Sequence, residues 1–376
     1  MMSQQNAIVV GAGIVGLATA RALALKGYQV TVIEKSQFSL GASVRNFGML
    51  WPIGQPDGQL YNRAVRTREI WLDYLDTAHI PYNSCGSLHL AYNQEEMDVV
   101  EEIGSFFKSK NRPVSVISSK TILENYNGIN EDGLMGALRS EDETIIDPRE
   151  GIKNLPDFLN EKYKVTFVWG TAITSVSSNA VYSGKTKFSA DIICVCSGAD
   201  FETLYPEQFK QQPIIKTKLQ MMRFKHKDPS YQIGASVCGG LSLLHYKSFT
   251  ASSSLSKLRL KIEEEIPEYL KYGIHVMVSQ NNEGELTVGD SHEYGLDFDP
   301  FDKMEINKMI LDYLKKLMHI DQWEMIQSWN GVYPIMTNGA TDLFLNPEAG
   351  VYILNGIGGH GMTMSFGFAE EMINNL

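Results

Sequence analysis

The chain has 376 residues, 43% of them hydrophobic, and a formal net charge of -11. That is enough to bury more than one core and predicts a two-domain globule. The acidic residues are spread along the chain rather than gathered into tails, which argues against a nucleic-acid partner, since phosphate binding needs a basic face.

Taken from the N-terminus, Ala7 to Leu25 is the one stretch that could pass for a membrane span or signal. Glycines at 11, 13 and 16 interrupt it and Arg21 sits inside it. A strand, a glycine turn and an Ala/Leu-rich helix closed by Gly27 explain it better, so no membrane span is expected. Gln29 to Ile33 reads as the next strand, completing a βαβ unit and implying a parallel sheet. Residues 83–145 mix short alternating runs, such as Ser87-Leu88-His89-Leu90, with a charged helix near 94–110. Lys164 to Val176 and Ile192 to Cys196 read as more of the parallel sheet. Residues 210–325 look like antiparallel strands followed by a helix at 302–319, and 350–376 is again strand, glycine turn and helix.

The fold class predicted is α/β, α+β overall: a Rossmann-like nucleotide domain with a parallel sheet, plus a mainly antiparallel substrate domain. The nucleotide domain is expected over 1–82, 146–208 and 330–376, and the substrate domain over 83–145 and 209–329. Cys85, Cys194, Cys196 and Cys238 form no C-x-x-C pair and have no histidine partners at metal-ligand spacing. No metal is expected, and the compartment expected is the reducing cytoplasm. Cys194 and Cys196 alternate on a strand and should share one buried face.

Gly11-Ala12-Gly13-Ile14-Val15-Gly16 fits G-x-G-x-x-G directly after a strand and opening a helix. The first glycine permits the turn, the second lets the backbone approach a pyrophosphate, and the third allows close helix–strand packing. Glu34 ends the second strand about twenty residues on, where a carboxylate accepts hydrogen bonds from ribose hydroxyls. A dinucleotide is therefore expected, and the motif alone does not choose between FAD and NAD. Two further segments bear on the choice. The small polar loop Gly41 to Met49 could wrap pyrophosphate and flavin, and Asn355 to Thr363 opens a last helix whose N–H groups could meet electron-rich cofactor atoms.

With these segments in place the chain resembles the D-amino-acid-oxidase-like family of FAD-dependent oxidoreductases, which includes glycine and sarcosine oxidases. The matching pieces also include Gly86 to Leu90, Ile146-Asp147-Pro148-Arg149, Gly170 to Val176, Ser197-Gly198-Ala199 and Trp329-Asn330-Gly331. The resemblance implies that FAD is lined by Gly11, Gly13, Ile14, Val15 and Gly16, by Glu34 and Lys35, and by Ser43, Arg45, Asn46, Gly48 and Met49. It adds Ala172, Ser197, Gly198 and Gly331, and then Gly358, Gly359, His360, Gly361, Met362 and Thr363. Covalent members carry a cysteine shortly after the tryptophan-containing strand; Trp329 to Pro334 has none, so non-covalent FAD is expected. Amino-acid oxidases carry a carboxylate-binding arginine two residues after the equivalent of Gly331, where this chain has Tyr333. Arg45, Lys216, Lys218 or Lys247 could supply the charge instead.

The chemistry implied is oxidation of the C–N bond of a small amine or amino acid. Hydride leaves the amine-bearing carbon for flavin N5, and the imine is then hydrolysed. No second G-x-G-x-x-G occurs mid-chain, so substrate rather than a nicotinamide should reduce the flavin, with O2 or another acceptor reoxidising it. Candidate catalytic residues are Arg45, His245, Lys247, His292 and Tyr333, with Tyr294 a further polar neighbour and His275 a weaker candidate. The alternative is a 2-hydroxy acid or polyol-phosphate dehydrogenase of the same fold, in which a histidine base would be indispensable. A tRNA-modifying flavoprotein is disfavoured by the acidic balance. Gly356 to Gly367 is also similar to a bacterial subgroup associated with phosphonate breakdown, which points to an aminoalkylphosphonate as a narrower substrate. Homo-oligomer formation stays open.

Overall fold

A computed structural model describes residues 5–376. The β-branched run Asn6–Val10 and the strand Gln29–Ile33 pair in parallel, with helix Ile14–Leu25 crossing between them. Around this unit grows a six-stranded sheet. Its order is Leu343–Glu348, Val351–Asn355, Ile192–Val195, Asn6–Val10, Gln29–Ile33 and Thr166–Val168. All neighbours are parallel except the edge hairpin of the last two strands in the chain. Its apolar strands are buried on both faces, as a parallel sheet covered by helices requires.

The second layer is a nine-stranded, largely antiparallel sheet. Its spine is the long ladder between Ile214–His226 and Trp323–Met336, flanked by Glu285–Gly289 and Met277–Gln280. That ladder runs past position 330 as far as Met336, so the large sheet reaches the floor of the nucleotide half. Ser87–Ala91, Gly136–Ser140 and Val114–Ser118 extend its other end. Helices at Gln94–Ser109 and Met304–Leu317 stand close to the predicted ranges.

The expectation for 164–176 needs a correction. Thr166–Val168 joins the parallel sheet, but Ser175–Ser177 belongs to a separate three-stranded antiparallel sheet with Ala180–Ser183 and Thr186–Ser189. Gly170, at φ +66°, turns the chain between the two.

Helix Gln59–Ala78 holds the C-terminal segment in place. Its fully buried Trp71 donates from Nε1 to the carbonyl of Met362 at 2.9 Å and meets Phe366 edge-on. Burial of a ring this size contributes on the order of 3 kcal/mol. The turn that opens the last helix, Gly361–Asn374, is thereby fixed from behind. Among the described residues, no helix is long and apolar enough to cross a membrane.

Candidate functional site

A cavity of about 1120 Å³ lies between the two sheets and carries different chemistry at its two ends. It exceeds what a single drug-sized ligand needs and has room for a dinucleotide with a small substrate beside it.

One end is built from backbone. Gly11 has φ +104°, and a Cβ there would stand 2.5 Å from the carbonyl of Cys196. A Cβ on Gly16 would stand 1.9 Å from the Gly11 carbonyl, so only glycine lets the helix start against the strand. Glu34 pins this turn: its carboxylate accepts from the N–H of Ala12 at 2.8 Å and of Ser36 at 2.9 Å. Ser43 accepts from the N–H of Ile14 at 2.9 Å. Val15 and Gly16 line the cavity in the helix's first turn, where N–H groups have no intrahelical acceptor and suit an anion.

Of the residues expected around the cofactor, most line this cavity: Gly11, Gly13, Ile14, Val15, Gly16, Glu34, Lys35, Ser43, Arg45, Asn46, Ala172, Ser197, Gly198, Gly331 and Gly358 to Met362. Gly48, Met49 and Thr363 do not. Gly48 is packed so tightly that a Cβ would stand 1.8 Å from the Ile146 carbonyl, and Met49 pairs with Ile145. Thr363 is buried, its hydroxyl accepting from the N–H of Trp51 at 2.9 Å. All three brace the loop behind the cavity wall instead of facing the cavity.

The other end is built from side chains. His245 closes the short helix Gly240–His245, His275 precedes the strand Met277–Gln280, and His292 follows the strand Glu285–Gly289. The ring centroids of His245 and His275 are 3.7 Å apart at 24°, those of His245 and His292 4.9 Å, and those of His275 and His292 5.3 Å. The Nδ1 of His292 lies 2.8 Å from the Gly273 carbonyl, which can only accept, so Nδ1 carries the proton. Its Nε2 is then the acceptor of the Tyr333 hydroxyl at 3.0 Å. Asp290 brings an oxygen 3.0 Å from Nε2 of His275, but off the line of a hydrogen bond, leaving that oxygen and Nδ1 of His275 without partners among the described residues.

Burial sets the charge of this end. It holds His245, His275 and His292 below the ordinary imidazole range, with neighbouring imidazoles adding to the effect on His245 and His275. It lowers His360 to about 4, with Lys247 and His292 contributing, and pushes the Asp290 carboxyl and the Tyr246 and Tyr333 hydroxyls upward. His245 opens onto the cavity, whose walls still strip much of its water.

Five residues singled out as catalytic candidates, Arg45, His245, Lys247, His292 and Tyr333, all line the cavity. Lys247 donates to the carbonyl of Gly339 at 2.8 Å, and Arg45 to that of Asn330 at 3.3 Å. Lys216 and Lys218 supply no charge here: the first pairs with Glu202, and the second donates to the carbonyls of Asp299 and Phe301. Sequence reasoning ranked His275 low and missed Asp290, Tyr246 and Arg259, all of which line the cavity. Asp290 stands two residues before His292, a spacing that could have flagged it; Arg259, on an ordinary charged helix, gave no signal.

Known proteins place this architecture. The family model described as FAD dependent oxidoreductase matches residues 6–374. Glycine oxidase from Geobacillus kaustophilus superposes with a TM-score of 0.78 at 18% identity, covering 99% of this chain and 94% of that one. L-proline dehydrogenase from P. horikoshii gives 0.78 at 19%, covering 100% and 93%. L-alpha-glycerophosphate oxidase from Mycoplasma pneumoniae with FAD bound gives 0.73 at 18%, covering 100% and 96%. Sequence relatives include mitochondrial L-2-hydroxyglutarate dehydrogenase of Arabidopsis thaliana, 27% identical over 163 residues, 41% of this chain and 31% of that protein. A tRNA 5-methylaminomethyl-2-thiouridine biosynthesis bifunctional protein of Saccharophagus degradans is 24% identical over 247 residues, 62% of this chain and 34% of that protein. The chain thus spans about a third of the length of these curated relatives.

Proposed function

The chain belongs to the FAD dependent oxidoreductase family, and we propose that it oxidises the C–N bond of a small amine or amino acid, with FAD bound non-covalently. When bound, FAD supplies the acceptor for the hydride leaving the carbon beside nitrogen. The cavity's glycine end has the features such a group needs: a tight strand-to-helix turn that only glycine at 11 and 16 allows, first-turn N–H groups, and the carboxylate of Glu34 beside the turn.

The observation that carries the amine reading is the state of His292. Oxidation of an alcohol needs a base with a free lone pair to take the hydroxyl proton, whereas an amine needs only to arrive neutral. The one lone pair of His292 already receives the Tyr333 hydroxyl. The cavity around it holds its titratable groups neutral by burial, which equally favours the neutral amine. Glycine oxidase and L-proline dehydrogenase among the structural neighbours agree with this reading.

A 2-hydroxy acid or polyol phosphate is the second reading, favoured by the likeness to L-2-hydroxyglutarate dehydrogenase and by His245, whose ring opens onto the cavity. A tRNA substrate fits poorly with a net charge of -11. Within the amine class, an aminoalkylphosphonate is compatible with Tyr333 in place of the arginine expected for a carboxylate.

For non-covalent FAD the support is chemical. Among the cysteines, Cys196 lines the cavity, but burial pushes its thiol up to about 12 and leaves it protonated.

The test is an anaerobic titration of the flavin absorbance with glycine, sarcosine, D-amino acids, aminoalkylphosphonates and 2-hydroxy acids. Bleaching by an amine that reverses with air supports the reading and identifies O2 as an acceptor. Bleaching only by hydroxy acids, with loss of about 10²-fold or more in His245→Ala or His292→Ala, establishes the alternative.

A further inference from the structure

We propose that His245 and His275, packed against His292, receive the acidic group of the substrate, with Arg259 and Lys247 at the margin, and that one solvent proton enters the cluster with each anion bound; the two ring nitrogens of His292 are already engaged by the Gly273 carbonyl and the Tyr333 hydroxyl. The inference rests on the amine reading only for the rest of the substrate; the anion site itself needs no turnover.

Three imidazoles from three separate elements bring their ring nitrogens within 4.8 Å of one another. Such a cluster in a protein interior is poised between two states. Unliganded, desolvation and mutual repulsion hold the rings neutral. Against an anion, one protonated ring makes a charge-assisted hydrogen bond, about twice as strong as a neutral one. The site also has unmet polar atoms: Nδ1 of His275 and one oxygen of Asp290 are buried without hydrogen-bond partners, in residues 3% and 4% exposed.

The charged and titratable groups facing the cluster are few. Asp290 is the carboxyl, 3.0 Å from Nε2 of His275 and 3.9 Å from Nε2 of His292; Tyr246, Tyr294 and Tyr333 offer hydroxyls; His360 lies across the cavity. Arg259 reaches the cavity from helix Leu255–Glu265 with no ion pair or hydrogen bond among the described residues, and Lys247 is held only by the Gly339 carbonyl. Arg259 and Lys247 already make the balance at this end cationic, with the Asp290 carboxyl pushed up by burial, and a protonated imidazole adds to it. That matches an acid, and with Tyr333 standing where the resemblance expects an arginine, the nearby arginine comes from the helix Leu255–Glu265 instead.

A metal ion would be the other occupant of three histidines. The ring planes argue against it. His245 and His275 are stacked at 3.7 Å and 24°, and His275 and His292 differ by 17°. In-plane lone pairs on stacked rings lie in different planes, so one ion cannot sit in both at the ~2.0–2.1 Å of a metal–imidazole bond.

The experiment is titration of the holoenzyme with sodium sulfate and with methylphosphonate, followed by the flavin difference spectrum at pH 6, 7 and 8. Sulfate does not titrate in this range, so the protein's own protons are read. The expected sulfate affinity rises as pH falls, approaching about tenfold per unit for one linked proton. Calorimetry in two buffers of different ionisation enthalpy should show about one proton taken up. His275→Asn and His245→Asn should flatten the pH slope. Arg259→Met should weaken binding severalfold while keeping the slope, a readout that survives if a histidine variant fails to fold. A pH-independent sulfate affinity, or no sulfate binding, overturns the proposal. Stoichiometric Zn²⁺ binding by the holoenzyme that is lost in His275→Asn overturns it in favour of a metal site. If sulfate binds with the expected slope but no amine bleaches the flavin, the amine reading fails and the anion site stands.

Discussion

The hydroxyl of Tyr333 lies 3.0 Å from Nε2 of His292, joining the long strand Trp323–Met336 to the segment after Glu285–Gly289. Because the Gly273 carbonyl accepts from Nδ1, the tyrosine must donate. Tyr333→Phe then leaves a buried imidazole nitrogen without its donor. The expected cost is about 1–3 kcal/mol, read as a lower melting temperature at unchanged flavin content. A variant that melts with the wild type would show that this contact does not order the pocket.

The glycine turn yields a graded series. Gly16→Ala would drive a Cβ to 1.9 Å from the Gly11 carbonyl, and Gly13→Ala only to 3.2 Å from the Ser43 hydroxyl. Gly41→Ala meets nothing within 4 Å. Flavin content per protein should therefore fall in the order Gly41→Ala, Gly13→Ala, Gly16→Ala, with the last also poorly folded. Equal flavin content in all three would remove the turn from the cofactor site.

Much of the nucleotide half is legible in the sequence alone. The period of the chain around Ala7 to Ile33 shows strand, turn and helix because local sterics decide them: β-branched residues favour the strand, an alanine-rich run the helix, and glycine alone tolerates the positive φ of the turn between them. The helix Ile14–Leu25 and strand Gln29–Ile33 stand where the pattern put them. The histidine cluster was not readable as a cluster. His245, His275 and His292 come from three elements brought together only by the pairing of the large sheet, and nothing local records that they stack. Gly48, Met49 and Thr363 stand off the cavity for a related reason. Motif position says that a residue is near the cofactor loop, whereas only packing says which side of the loop it serves.

Non-covalent attachment is checked by denaturation. Precipitating the holoenzyme with acid should release all of its flavin to the supernatant, and none should stay with the pellet. The same protonated state should make Cys194, Cys196 and Cys238 unreactive toward a thiol reagent in the native protein, since burial raises all three thiols. Flavin retained in the pellet would mean a covalent bond.

The fully buried Glu143 gives a prediction in pH. Its carboxylate accepts from the N–H of Ile53 at 3.1 Å and the hydroxyl of Ser87 at 3.0 Å, tying the turn Pro52–Gly54 to the strand Ser87–Ala91. Burial first, with the charge of Asp142 adding, pushes its folded pKa above the ordinary value of 4.5. A carboxyl raised on folding binds its proton more tightly in the folded state than in the unfolded one. The stability this contributes is complete below the unfolded pKa and is lost as pH rises through the folded one. Glu143→Gln keeps an acceptor for Ile53 and can donate to Ser87, but has no charge to bury. The difference in melting temperature between variant and wild type should therefore grow in the variant's favour from about pH 4.5 upward and level off above the folded pKa. A difference that stays constant from pH 4 to 8 would mean that Glu143 titrates normally, and that water reaches it.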